Sequence, residues 1–153
     1  MATAMSALEA TRVLVVEDDA MVRGFLARAL ETGGYTPIAA ASGAEATALL
    51  RDSEPVAIAL IDGTLPDMHG MRLARAIIER TAADPIGVCF VTGGITESSA
   101  PVAGVGALSK PMRVAQLLGM VRQLHAWRDG GGSPLSERLD ALERLEHAFL
   151  VGP

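Results

Sequence analysis

Five polar side chains stand where apolar runs stop. Glu17 and Asp18 follow Val13–Val16 directly, Asp62 closes the run that begins at Val56, Thr92 closes the run from Gly87 to Val91, and Lys110 follows Ala107–Ser109. Carboxylates gathered in one crevice repel each other. A divalent cation relieves that repulsion, and hard oxygen ligands favour Mg²⁺. A carboxylate is also a nucleophile toward phosphorus, giving an aspartyl phosphate. Phosphoryl transfer needs charge neutralisation and positioning, which the Lys110 ammonium and the Thr92 hydroxyl supply. Lys110 is the only lysine of the chain. Its compact point charge differs from the planar guanidinium fork of the arginines that supply the other basic side chains.

Taken singly, these residues have ordinary readings. Asp19 is placed to N-cap a helix, and Asp62 and Thr92 precede glycines and suit turns. Their coincidence at successive strand ends carries the chemical reading, because in an open parallel sheet ligands bind beyond the strand carboxyl ends.

The strands themselves read as continuous branched runs, as expected where both faces of a parallel sheet are covered. Val13–Val16, Val56–Ile61 and Gly87–Val91 are the clear ones, and Thr36–Ala40 and Ala107–Ser109 are weaker. Helical spacing falls between them. Met21, Val22, Phe25, Leu26, Ala29 and Leu30 mark one face, stopped by Gly33-Gly34. Ser42 and Glu45 form a capping-box pattern. Met71, Ala74, Ile77 and Ile78 mark a third helix, and Val114, Leu117, Leu118, Val121 and Leu124 another. The alternation predicts one doubly wound α/β domain. Between Thr92 and Ala107 the glycines and Pro101 leave little helical pattern, so at most a short or mobile helix is expected there.

Gly130-Gly131-Gly132-Ser133-Pro134 reads as a linker. Beyond it Leu135, Leu139, Leu142, Leu145 and Phe149 share the face of a last amphipathic helix, which either lies on its own domain or offers a dimer or partner surface. The expected divisions are a tail over 1–10, the main domain over 11–128, the linker over 129–134 and the final helix over 135–153.

Composition excludes several classes of function. The chain has 153 residues and a formal charge of −5, with aromatics at only 3%. So few rings argue against base-stacking platforms for single-stranded nucleic acid, and no basic stripe marks a nucleic-acid footprint. Mean hydropathy is +0.32, too apolar for a disordered chain. No apolar run reaches the roughly 18 residues of a membrane span, no secretory start is visible, and the cytoplasm is the expected compartment. Cys89, the single cysteine, sits in an apolar run and reads as a small buried hydrophobe.

The segments Val13-Leu14-Val15-Val16-Glu17-Asp18-Asp19, Asp62-Gly63-Thr64-Leu65-Pro66-Asp67-Met68-His69-Gly70, Phe90-Val91-Thr92-Gly93 and Leu108-Ser109-Lys110-Pro111 resemble the receiver domain of bacterial two-component response regulators. The likeness covers about residues 10 to 128. It implies a flavodoxin-like, five-stranded parallel sheet of order 2-1-3-4-5 with helices on both faces. It implies Asp62 as phosphoacceptor, Asp18 as a direct Mg²⁺ ligand, Glu17 acting through metal-bound water, and Thr64 giving its backbone carbonyl. Thr92 would be the switch hydroxyl and Lys110 the phosphate partner, with Thr64 and Gly94 at the positions that tune self-dephosphorylation. The donor would be a sensor histidine kinase or a histidine phosphotransfer protein. With about 20 residues beyond the linker, too few for a DNA-binding domain, output would be protein–protein: a phosphate sink, a relay intermediate or a feedback regulator.

Two departures fall on the same side. The interval from Thr92 to Lys110 is about one helical turn short, at the fourth helix. Ala107 stands where receivers usually carry the aromatic ring that reports the switch. Both features resemble the single-domain FATGUY class found with kinases of the HWE type, and Phe90-Val91-Thr92-Gly93-Gly94-Ile95 matches its signature in part. Two rival readings are a binding module that is never phosphorylated, and a haloacid-dehalogenase-like phosphatase. The second is suggested by Asp62-Gly63-Thr64-Leu65, although Leu60 stands where that family keeps its nucleophile.

Overall fold

The computed structural model describes residues 11–52 and 55–151. The expected tail over 1–10 lies outside them. In chain order the elements are β1 (Arg12–Val16), α1 (Ala20–Thr32), β2 (Thr36–Ala40), α2 (Gly43–Asp52), β3 (Ile58–Asp62), α3 (Gly70–Arg80), β4 (Gly87–Thr92), β5 (Ser99–Val102), β6 (Val105–Ser109), α4 (Val114–Asp129) and α5 (Leu135–Val151). The sheet order is β2-β1-β3-β4-β6-β5. Neighbours pair in parallel throughout, except for β5, which pairs antiparallel with β6.

The strands alternate their side chains between two apolar layers. Val13, Val15, Ile58, Leu60, Cys89, Val91 and Leu108 face α1 and α4, packing with Leu26, Leu30, Leu117, Val121 and Leu124. Leu14, Val16, Ala59, Ile61, Val88, Phe90, Val105 and Ala107 face the other way, onto α2, α3 and α5. The local signals act as expected. The Asp19 carboxylate accepts from the backbone N–H of Met21 and Val22 at 2.9 and 3.2 Å, starting α1. The Ser42 hydroxyl accepts from Glu45 N–H at 3.1 Å, while Glu45 reaches back to Ala41 N–H at 3.3 Å.

The five parallel strands stand in the expected order 2-1-3-4-5, but the sheet gains a sixth, and the expected short or disordered fourth helix is corrected here. After Thr92 the chain forms a loop and then a sixth strand, β5. The β5–β6 turn is Ala103-Gly104, both with positive φ (+49° and +78°), the signature of a two-residue hairpin turn whose twist suits antiparallel strands. Ala at the first position hides that signal in the sequence. Pro101 is tolerated because β5 lies at the sheet edge.

The space beside α3 that a helix between β4 and β6 would fill is occupied by α5. This helix packs against α3 and β6, with Leu135, Leu139, Leu142, Leu145 and Phe149 on the core and the Phe149 ring edge-on to Phe90 at 5.7 Å between centroids. Of the two readings of the last helix, the structure shows the first: the apolar face lies on its own domain. The linker is a turn rather than a free tether. Gly131 and Gly132 take positive φ, and Trp127 Nε1 donates to the Ser133 hydroxyl at 2.8 Å.

Candidate functional site

Glu17, Asp18, Asp62, Thr92 and Lys110 sit at or just beyond the carboxyl ends of β1, β3, β4 and β6, which are adjacent in the sheet. Glu17, Asp18 and Asp62 offer carboxylate oxygens within 4.8 Å of one another. Glu17 is 1% exposed, Asp62 half-buried and Asp18 exposed. Lys110 Nζ donates to Glu17 Oε1 at 2.6 Å and lies 3.7 Å from Asp62 Oδ1. The Lys110 backbone N–H donates to Thr92 O at 2.9 Å, which fixes the two residues relative to each other. A Cβ on Gly63 would lie 3.1 Å from Thr92 Oγ1, so the threonine hydroxyl faces the loop that follows Asp62. Thr64 N–H donates to Asp62 Oδ1 at 3.4 Å, and Thr64 bridges to His69 across that loop.

Further residues hold this arrangement. Arg23 Nη1 donates to the Glu17 and Asp18 carbonyls at 2.8 and 3.3 Å, clamping the acidic pair from α1. Asp67 accepts from Gly43 and Ala44 N–H at 2.9 and 2.8 Å, tying the β3–α3 loop to the start of α2. These two amides hold the Asp67 pKa below the ordinary carboxylate value. Gly70 has the Asp62 carbonyl where a Cβ would stand, so a side chain there would displace the strand end. Neither Arg23 nor Asp67 announces its role in the sequence, because each acts on backbone atoms brought near by the fold.

The charges are unevenly balanced. Burial pushes the Glu17 carboxyl up to about 7, with Asp62 adding to the shift and the Lys110 hydrogen bond opposing it. Burial works against the Lys110 ammonium, but the Glu17 hydrogen bond and the charges of Asp62, Glu17 and Asp18 outweigh it and raise its pKa. Three carboxylates with one ammonium among them leave a surplus of negative charge, carried on hard oxygen donors. That donor set fits a divalent cation of the Mg²⁺ type.

The sequence matches the response regulator receiver domain over residues 13–122. The chain belongs to the response regulator receiver family. It is 34% identical over 119 residues to the response regulator receiver protein CpdR of Brucella abortus, covering 74% of this chain and 95% of that one. It is also 34% identical over 118 residues to the response regulator MprA of Mycobacterium sp. (strain KMS), covering 74% of this chain but only 50% of MprA. Among solved structures, the CheY-like receiver domain protein from Methanospirillum hungatei JF-1 superposes with a TM-score of 0.67 at 26% identity, covering 80% of this chain and 98% of that one. The receiver domain of the hybrid histidine kinase CckA gives 0.62 at 29% identity, covering 74% and 98%.

As a receiver, the chain is a signalling domain of two-component systems, and this family accepts phosphoryl groups. In place of a haloacid-dehalogenase nucleophile, Leu60 is buried in β3 under α1 and α4. Cys89 is fully buried and burial pushes its thiol pKa upward, as a packing residue requires. Among the described residues no helix is long and apolar enough to cross a membrane.

Proposed function

We propose that this receiver takes a phosphoryl group onto Asp62 from a histidine kinase or histidine phosphotransfer protein and signals through protein contacts in the cytoplasm. The single observation that carries the reading is the contact set at the sheet edge: Lys110 Nζ lies 2.6 Å from Glu17 and 3.7 Å from Asp62, within the acidic triad. In the transfer, an Asp62 carboxylate oxygen forms the O–P bond as the donor's P–N bond breaks, and the histidine nitrogen leaves with the electron pair. Lys110 offsets phosphoryl charge, and Thr92 donates its hydroxyl to a phosphoryl oxygen. Glu17, Asp18, Asp62 and the Thr64 carbonyl would hold Mg²⁺, which when bound neutralises charge on the transferring oxygens. The presence of both acceptor and lysine weighs against a module that is never phosphorylated.

An apolar patch beside the site suits the donor. Met21 is 85% exposed, and with Phe25, Pro111 and Met112 it lines a surface hollow that also contains Lys110. Exposed apolar area of this kind marks contact surfaces. The Phe90-Val91-Thr92-Gly93 run supports an HWE-type kinase as donor. The receiver unit over 11–128, the connector over 129–134 and the helix over 135–153 act together in this reading, with phosphate sink, relay and feedback roles all served by the same chemistry.

The test is intact-mass spectrometry of the full chain with a small phosphodonor. The expected outcome is a gain of one phosphoryl group that requires Mg²⁺ and is absent in Asp62→Asn. Equal labelling of Asp62→Asn, or none of the wild type, would sink the acceptor assignment. Lys110→Arg is expected to keep the fold and lose most phosphorylation-dependent partner binding, because the guanidinium fork cannot put its charge where the ammonium sits.

A further inference from the structure

The residues after Thr92 connect the site to the C-terminal helix. Gly94 N–H donates to Thr92 Oγ1 at 3.1 Å. Ile95, the next residue, packs on the same core layer as Phe149. Two hollows open to solvent, of about 480 and 400 Å³, flank this region, and Gly94, Ile95 and Phe149 line both. The far end of α5 therefore borders solvent-open space on both sides and is seated on the core by Leu145 and the half-buried Phe149. Its other holds are weak. The Phe149 ring meets Phe90 edge-on, and Arg75 and Glu146 are 3.9 Å apart with side chains more than a third exposed, a geometry that adds little.

The near end of α5 is built differently. Arg138 is 1% exposed. It donates to the Thr81 carbonyl at 3.1 Å, the Thr81 hydroxyl at 3.3 Å and the Ile86 carbonyl at 3.3 Å, and its guanidinium lies 5.7 Å from the Trp127 ring centre. Thr81 is the C-cap of α3, where a cation is favoured by the helix dipole. The helix is thus pinned at one end and lightly held at the end nearest the site.

We propose that the last two turns of α5, from Glu143 to Phe149, form a strap that the unphosphorylated receiver holds over Phe90 and that phosphorylation of Asp62 releases. The strap rests on the acceptor reading above. When Thr92 turns its hydroxyl to a phosphoryl oxygen on Asp62, Gly94 N–H loses its acceptor, and the Gly93–Ile95 turn re-forms. Ile95 then leaves the seat of Phe149. Release uncovers Phe90 and frees the Leu145 and Phe149 side chains for a partner, while Arg138 keeps the near end docked.

The chain has three phenylalanines, so fluorine NMR of the fluorophenylalanine-labelled full chain reads the strap directly, with Phe149→Leu assigning its resonance. Phosphoryl uptake is followed by mass on the same sample. On phosphorylation the released population is expected to rise about tenfold, moving the Phe149 resonance toward the position of a solvated ring, and to stay unchanged in Asp62→Asn. Ile95→Ala is expected to move the resonance the same way without phosphoryl donor. A mass gain with Phe149 unmoved overturns the strap and leaves the acceptor reading standing. Absence of any mass gain overturns the acceptor reading, and the strap with it.

Discussion

On one face of the sheet, α1 and α4 lie over Val13, Val15, Leu60, Cys89 and Leu108, and each is followed or preceded directly by a strand or strand-end loop. On the other face α2 and α3 are tied to strands in the same way, but the remaining cover comes from α5, which enters only through the Gly130–Pro134 turn. The first face can open only when the sheet itself opens. The second includes a helix reached through a turn rather than from a strand, so that its departure leaves the strand pairing intact. The difference separates global stability from local opening within one small fold.

A matched pair of core truncations separates the two faces most strongly. Leu117 and Leu142 are each at most 1% exposed, and each Leu→Ala is expected to cost about 2–5 kcal/mol. Leu117→Ala should lower the thermal midpoint of the whole chain and speed labelling of Cys89 by a thiol reagent, because that thiol lies under α1 and α4. Leu142→Ala should detach α5 while Cys89 stays protected. If both variants expose Cys89 equally, the two faces unfold as one unit and the distinction fails.

A smaller effect sharpens the same contrast. Arg138→Ala strands the Thr81 and Ile86 carbonyls without their donor, and should cost about 1–3 kcal/mol. The loss should appear in hydrogen exchange of α5 and the end of α3 and leave α1 and α4 unchanged. The smallest expected effect is a gain. Ala103 sits at φ +49°, where Asn is tolerated better than Ala. Ala103→Asn, which makes the turn Asn-Gly, should therefore stabilise by up to about 1 kcal/mol in thermal unfolding.

These regions also differ in how far the sequence reveals them. The strand ends and the polar residues on them were legible because apolar runs, Asp19 and the glycines act locally. Glu17, Asp18, Asp62, Thr92 and Lys110 could be placed on one edge from topology alone. The β5 hairpin was not legible, since its turn uses Ala103 where a left-handed position normally declares itself by Asn or Gly. Nor was the docking of α5, because an amphipathic face shows that a helix is covered and not by what. The roles of Arg23 and Arg138 are not legible in the sequence for a related reason: both hold backbone carbonyls, and backbone atoms carry no sequence signature.

In β6, one strand in from the sheet edge, Ala107 leaves the core layer beside Phe90 without a ring of its own, and Phe149 supplies one from α5. Signalling by this receiver nonetheless depends first on where the phosphoryl group goes. Borohydride reduces an acyl phosphate on aspartate to homoserine, so treating the phosphodonor-loaded chain and sequencing its peptides by mass spectrometry locates the acceptor. Homoserine at position 62 alone is the result expected; homoserine at Asp18 or Asp67, or at no position in a chain that has gained phosphoryl mass, would contradict it.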